Sequence, residues 1–231
     1  MSGFTNRALR NMLGGFQGTN FPTNFYAALV TAANAGTLDA SAAADQGSDV
    51  IRIPATAHGM SAGNSVTISG STNYDGNHVI TAVAANTFDI IANYTAETFG
   101  GTETFYEGPG PDTNIFSDSP GGEIAAGNGY TAGGIQLTKN STDFPGLSEN
   151  DTTDLALVQI KTLSWTASGG NLPSSGNGAA FLMLTDDNGT QSSREVWAWF
   201  DLGGQRTVSD TQSLSASSGE LQLRQPPEII P

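Results

Sequence analysis

No cysteine occurs in this chain of 231 residues, which removes disulfide scaffolds, thiolate zinc sites and cysteine nucleophiles together. The redox environment is left unspecified by the same absence. Basic residues are scarce as well: eight Lys and Arg stand against 22 Asp and Glu, for a formal net charge of −14. Sequence-independent nucleic-acid binding draws on Lys and Arg that release counterions from phosphates, so no direct nucleic-acid contact is expected. Long apolar runs are missing too. No stretch approaches the roughly 20 apolar residues of a membrane span, and the N-terminus lacks a basic region followed by an apolar core. The expectation is a soluble product made in the cytoplasm, with no membrane partner.

What the chain has instead is glycine, 29 residues, with ten prolines, frequent Ser, Thr and Asn, and only 13% charged residues. That composition describes many short strands joined by tight turns, an all-β protein. At this length one large or two modest domains are expected, burying roughly 70% of the unfolded chain's surface. Residues 4–13 (FTNRALRNML) carry Phe4, Ala8 and Met12, with Leu9 and Leu13, at helical spacing, and Gly14-Gly15 follow as a stop. One amphipathic helix is predicted there. Its polar side carries Arg7 and Arg10, two of the eight basic residues, which makes them candidate partner contacts; the helix alternatively covers an open sheet edge.

Residues 25–31 (FYAALVT) read as the first strand of an outer domain. The stretch 50–91 then reads as a self-contained small barrel, with strands at 50–53, 65–69, 78–83 and 87–91, each rich in Val, Ile, Thr or Phe and bounded by turn residues. A short strand at 103–106 is a further candidate. After a Pro- and Gly-rich exit the outer pattern resumes. Gly133-Gly134 suggests a bulge or a close backbone approach, and 155–165 (LALVQIKTLSW) alternates as one strand. Residues 179–185 (AAFLMLT) form a nearly continuous apolar run, as in a strand covered on both faces. Asp186-Asp187-Asn188-Gly189 carries the Asn-Gly hairpin signal, and 195–201 (EVWAWFD) is the return strand. Residues 220–224 are the last strand. The predicted organisation is an outer β-sandwich or jelly-roll-like domain from 1–35 and 121–225, an inserted small β-barrel at 48–107, linkers at 36–47 and 108–120, and an extended tail at 226–231.

Several motifs carry potential chemistry. Residues 59–63 (GMSAG) match G-x-S-x-G beside His58, but that elbow needs a strand before it and a helix after it. Residues 64–69 are themselves a strand, so Ser61 falls in a turn. His58 and His78 are the only histidines, and without paired spacing each reads as a turn or strand residue rather than a zinc ligand. With Gly189 as the sixth position of a calcium loop, Asp186, Asn188 and Glu195 take the third, fifth and twelfth, yet Leu184 stands at the first, where a carboxylate is wanted. Acidic residues abound, but no pair is singled out as glycosidase carboxylates. No Walker or dinucleotide fingerprint is present. No catalytic, cofactor-binding or metal-binding residue is therefore assigned, and no enzyme is expected. By strict alternation Trp197 and Trp199 share one face of their strand, as a sugar-stacking or protein-binding surface or as packing within a sandwich or subunit interface.

The segments FTNRALRNMLGG, FYAALVTAA, EIAAGNGYTAGGIQL, IKTLSWTASGGNLP, AAFLMLTDD and VWAWFDLGG together resemble a family of tailed-bacteriophage virion structural proteins, of the decoration or tail-fibre-like kind, over about two thirds of the chain. The inserted stretch departs from that pattern. Its segments AHGM, GNSVTISG, NYDG and NTFD are similar to a small barrel of phage structural proteins and to the first catalytic-cysteine half-domain of ubiquitin-activating enzymes, which implies a fold and, without cysteine, no thioester chemistry. The family resemblance implies a virion location and a non-enzymatic capsid decoration role. Its partners would be the major capsid protein, other virion proteins and copies of itself, a trimer favoured. The alternative it implies is a tail-fibre or baseplate protein that binds host surface glycan.

Overall fold

The structure, a computed structural model, describes residues 2–14, 21–150, 155–217 and 219–224. The predicted tail at 226–231 lies outside the described residues. From the N-terminus the chain forms β1 (Ser2–Phe4), helix α1 (Asn6–Gly14) and β2 (Asn24–Val30). The inserted stretch supplies β3 (Ala33–Thr37), β4 (Ala44–Asp45), β5 (Val50–Pro54), β6 (Ser65–Ser69), β7 (Gly76–Ala84), β8 (Thr87–Ile91) and β9 (Thr104–Gly108). The remainder gives β10 (Ile135–Thr138), β11 (Ser148–Asn150), β12 (Leu155–Gln159), β13 (Leu163–Thr166), β14 (Ala179–Asp186), β15 (Val196–Arg206), β16 (Ser213–Ala216) and β17 (Glu220–Arg224). The all-β class expected from composition is the one observed.

The centre is a five-stranded antiparallel sheet in the order β1-β15-β14-β2-β10. All eight residues of β14 are buried, and the reason is that both faces of this sheet are covered. Ala27, Leu29, Leu182 and Leu184 point into one apolar cluster, closed by Leu163 and Trp165 of β13, by Ile160 and by Ala8 of the helix. Val30, Phe181, Met183 and Trp199 form a second cluster on the opposite face. Each such side chain, fully buried, contributes about 1.5–3 kcal/mol. Helix α1 sits at the β15 side of this sheet. Thr5 caps it, its Oγ1 accepting the Ala8 amide at 3.1 Å while donating to the Val196 carbonyl, a cap worth about 1 kcal/mol.

Strict alternation fails in β15. Thr185 pairs with Val196 but Leu184 pairs with Ala198, so Trp197 is the extra residue of a bulge, and the two tryptophans turn to opposite faces: Trp197 joins the first cluster and Trp199 the second. The predicted strand over 155–165 also divides. Ile160 turns into the core, its amide bonded to the Gly219 carbonyl at 2.7 Å, and β12 pairs with β17 and β11 while β13 pairs with β16. The Asp-Asn-Gly sequence makes no two-residue hairpin turn either. Strands β14 and β15 are joined by residues 187–195, closed across their base by the Asp186 carboxylate, which accepts the Glu195 amide at 2.9 Å and the Asn188 amide at 3.3 Å.

Strands β3 to β9 form one seven-stranded sheet, β3-β9-β6-β7-β8-β5-β4, curled around its own core of Ile51, Ile53, Ile68, Ile80, Phe88 and Phe105. The barrel expected here is not closed, since β3 and β4 remain at the two ends of the order. Residues 36–47, expected as a linker, contribute β4 and the end of β3. Their sequences, ANAGT and AD, have no apolar alternation, and it is backbone pairing with β9 and β5 that holds them. The insert leaves β2 through a narrow neck: the Thr31 amide donates to the Gly122 carbonyl at 2.9 Å, and Val30 bridges Glu123. It does not simply project. Tyr106 and Phe116 pack against the second face of the central sheet, so the base of the insert serves as that sheet's cover.

Candidate functional site

Side chains from four strands converge where β12 gives way to β13 and β17 departs at Gly219. Between these segments and β15 lies a groove of about 460 Å³. Its apolar lining is the half-buried Phe200, Leu202 and Ala216 over the buried Ile160, Leu163 and Leu182, and Lys161, Asp201, Ser215 and Ser217 supply polar groups. The two charged groups are already engaged. Lys161 Nζ lies 2.5 Å from Asp143 Oδ1; its hydrogen bond, with the Thr138 amide, holds the Asp143 carboxyl below the usual carboxylate range. Asp201 accepts from Thr67 Oγ1 at 2.8 Å, from the Tyr106 hydroxyl at 3.2 Å and from the Gly203 amide at 2.8 Å. Burial pushes the Tyr106 phenol up, and the Asp201 charge adds to that shift. The surface left exposed is therefore mixed, the half-buried Phe200, Leu202 and Ala216 lying beside the Ser215 and Ser217 hydroxyls.

The residues singled out from sequence are dispersed. Arg7 binds Glu195 at 2.7 Å, an ion pair to which Asn11 also contributes; Arg10 is exposed, with Asn11 Oδ1 3.4 Å away. Trp197 and Trp199 are 3% and 2% exposed, so neither presents a stacking platform on this chain. Trp197 packs edge-on to Phe21 and Phe25, with ring centroids 4.6 and 5.5 Å apart. His58 is occupied at both ring nitrogens: Nε2 faces the Ala84 and Thr87 carbonyls at 2.7 and 3.1 Å, and Nδ1 accepts the Met60 amide at 3.0 Å. Its Nε2 therefore carries the proton, and the ring staples the 55–60 turn to the β7–β8 hairpin without activating Ser61. The Ser61 amide instead donates to the buried Glu107. His78 donates from Nε2 to the Tyr74 carbonyl at 3.0 Å, and burial lowers its pKa. Among the described residues no group of three or more His, Asp or Glu is arranged to hold a metal ion. No helix among them is long and apolar enough to cross a membrane.

The groove escaped sequence reading because its lining comes from residues 160 to 219, brought together only by the break after β12 and by the register of β15. Gly134 shows the opposite case. It was flagged for close approach, and a Cβ there would fall 1.9 Å from the Ala27 carbonyl oxygen; with φ at +76° it lets the start of β10 lie against β2.

No protein-family model matches the chain, and no curated protein is similar to it. Among solved structures, the phage phi92 endosialidase is similar over 80% of this chain and 31% of its own, at 16% identity and a TM-score of 0.24. The chain thus spans less than a third of that structure, and a superposition so loose transfers no function. The likeness of the insert to a ubiquitin-activating half-domain rests on its sequence segments alone.

Proposed function

We propose that this chain is a structural protein of a bacteriophage particle's exterior, a capsid decoration protein that stabilises the head lattice. The observation that carries the reading is the groove, whose lysine and aspartate are each satisfied within the chain, leaving a mixed apolar and polar surface of the kind a protein partner covers. The family resemblance of the outer segments and the all-β build agree with it. The mechanism is geometric: many copies bind only the assembled lattice and shift the equilibrium toward it, by about 2.7 kcal/mol per site when the free concentration is a hundred times the dissociation constant. The exposed Arg10 adds a cation to a strongly acidic chain.

Quantitative mass spectrometry of purified particles tests this reading. Hundreds of copies per particle are expected. A few to a few dozen copies would instead support a tail-fibre or baseplate protein that binds host glycan, and absence from the particle would overturn both.

A further inference from the structure

Three Asn-Gly pairs occur in the sequence, at 128–129, 177–178 and 188–189. In such a pair the amide nitrogen of the glycine can approach the asparagine carboxamide unhindered, because glycine carries no side chain. Two of the three asparagines are held. Asn128 Nδ2 donates to the Asn171 carbonyl at 2.8 Å, its carbonyl accepts the Ser168 amide at 3.2 Å, and a Cβ on Gly170 would fall 2.7 Å from that Nδ2. Asn188 Nδ2 donates to the Asp186 carboxylate, which also accepts the Asn188 amide at 3.3 Å. Asn177 differs. It is exposed, and its carboxamide makes no hydrogen bond among the described residues; nor does the amide of Gly178, a residue that is itself buried.

We infer that Asn177 is a site of self-modification, where the unbonded Gly178 amide closes on the free Asn177 carboxamide and converts it to aspartate and isoaspartate. The Gly178 nitrogen gives up its proton and bonds to Cγ of Asn177. The Cγ–Nδ2 bond breaks, and ammonia leaves with that proton. Water then opens the cyclic imide, giving aspartate when the bond to Cγ breaks and isoaspartate when the bond to the main-chain carbonyl breaks. The net change is asparagine and water to a carboxylic acid and ammonia, with no cofactor and no second protein. The inference does not depend on the reading of the chain as a particle component.

Two features of the fold select this pair. Ring closure at 177 breaks no hydrogen bond, whereas at 128 and 188 the carboxamide must first leave a carbonyl or a carboxylate. A buried N–H without a partner also carries the cost of its lost hydration. The imide nitrogen has no proton, so closure at Gly178 removes that cost; Gly129 and Gly189 are exposed and gain nothing comparable. The two products differ in consequence. Isoaspartate lengthens the main chain immediately before Gly178, where a Cβ would already fall 2.6 Å from the Arg206 carbonyl oxygen. Ala179, fully buried and paired with Arg206, then loses its place at the start of β14. Aspartate leaves the main chain unchanged and adds a charge at an exposed position.

The test incubates the full chain at mildly alkaline pH, folded and in urea, and locates each amide-to-acid conversion by fragment-ion mass spectrometry. In the folded chain Asn177 is expected to convert at least roughly tenfold faster than Asn128 or Asn188, the factor that breaking one hydrogen bond imposes. In urea the three are expected to convert at similar rates, which ties the preference to the fold. Asn177→Gln removes the folded-chain conversion and leaves that of Asn128 and Asn188 in urea. Hydrogen exchange at Ala179 is expected to accelerate in the aged parent but not in freshly prepared Asn177→Asp. Conversion of Asn128 or Asn188 as fast as Asn177 in the folded chain overturns the proposal. So does an Asn177 that stays intact when folded but converts in urea, or one equally preferred in urea. Copy number in the particle is measured independently, so none of these outcomes touches the virion reading.

Discussion

Phe181 and Gly108 meet at the joint between the insert and the central sheet: a Cβ built on Gly108 would lie 2.0 Å from Cζ of Phe181 and 2.4 Å from a neighbouring ring carbon. The ring cannot retreat, being fully buried and held edge-on by Tyr106 at 5.8 Å. Gly108→Ala is therefore expected to destabilise the protein by about 1–3 kcal/mol through overpacking, read as a lower urea midpoint at unchanged slope. Adding Phe181→Leu should recover part of the loss. Simple additivity of the two substitutions would show that the residues do not press on one another.

Tyr130 takes the place of β10 at Leu29, because β10 pairs with β2 only as far as Ala27. Its hydroxyl accepts the Leu29 amide at 3.0 Å and donates to Glu123 Oε1 at 2.6 Å, and burial with the nearby carboxylate pushes the phenol well above its ordinary range. Tyr130→Phe leaves a buried amide unpaired, and a loss of about 1–3 kcal/mol is expected. Hydrogen exchange should localise it, with the Leu29 amide losing protection while Phe88 and Ile90 in the insert keep theirs.

Acid should weaken the insert through His78. Burial lowers its pKa from 6.5, opposed in part by the Tyr74 and Ile91 carbonyls, so the unfolded chain binds a proton that the folded one resists. Stability then rises with pH through that region and falls once the pH drops below about 6.5, where the unfolded histidine charges first. Denaturation midpoints between pH 7.5 and 5.5 should decline, and His78→Gln should flatten the decline. An equal slope in both proteins would assign it to other groups.

Excision of the insert should expose the central sheet. With residues 33–120 replaced by a short Gly/Ser linker, Phe181, Met183 and Trp199 lose Tyr106 and Phe116 as cover. The shortened chain is expected to bind a hydrophobic dye and to show red-shifted tryptophan emission, and Phe181→Thr/Met183→Thr should improve its solubility. A shortened chain that melts like the parent, without dye binding, would show that the insert contributes nothing to the outer core.

How far the sequence carried these features depended on where the controlling interaction lies. The apolar run of β14 and the alternation of β5, β6 and β8 are local patterns, and they appear where residues 179–185, 50–53, 65–69 and 87–91 place them. Strands β3 and β4 were not legible, because Ala, Asn and Gly pair there through backbone alone. The shared face assigned to Trp197 and Trp199 failed for a related reason. One bulged residue, fixed by pairing with β14, reverses the alternation from that point, and no side-chain pattern announces it. The groove lay further still from view, since its lining depends on two breaks in strand continuity at once.

The neck also determines how the molecule bears force. A pull on the insert away from the central sheet enters through Thr31 and acts along β2, which is interior to the sheet and carries six register pairs with β14 and four with β10. Those hydrogen bonds lie across the pull and are strained together in shear, rather than opened one after another as at a peeled edge. Tension on the insert is thereby carried into β2 and β14, two interior strands of the central sheet.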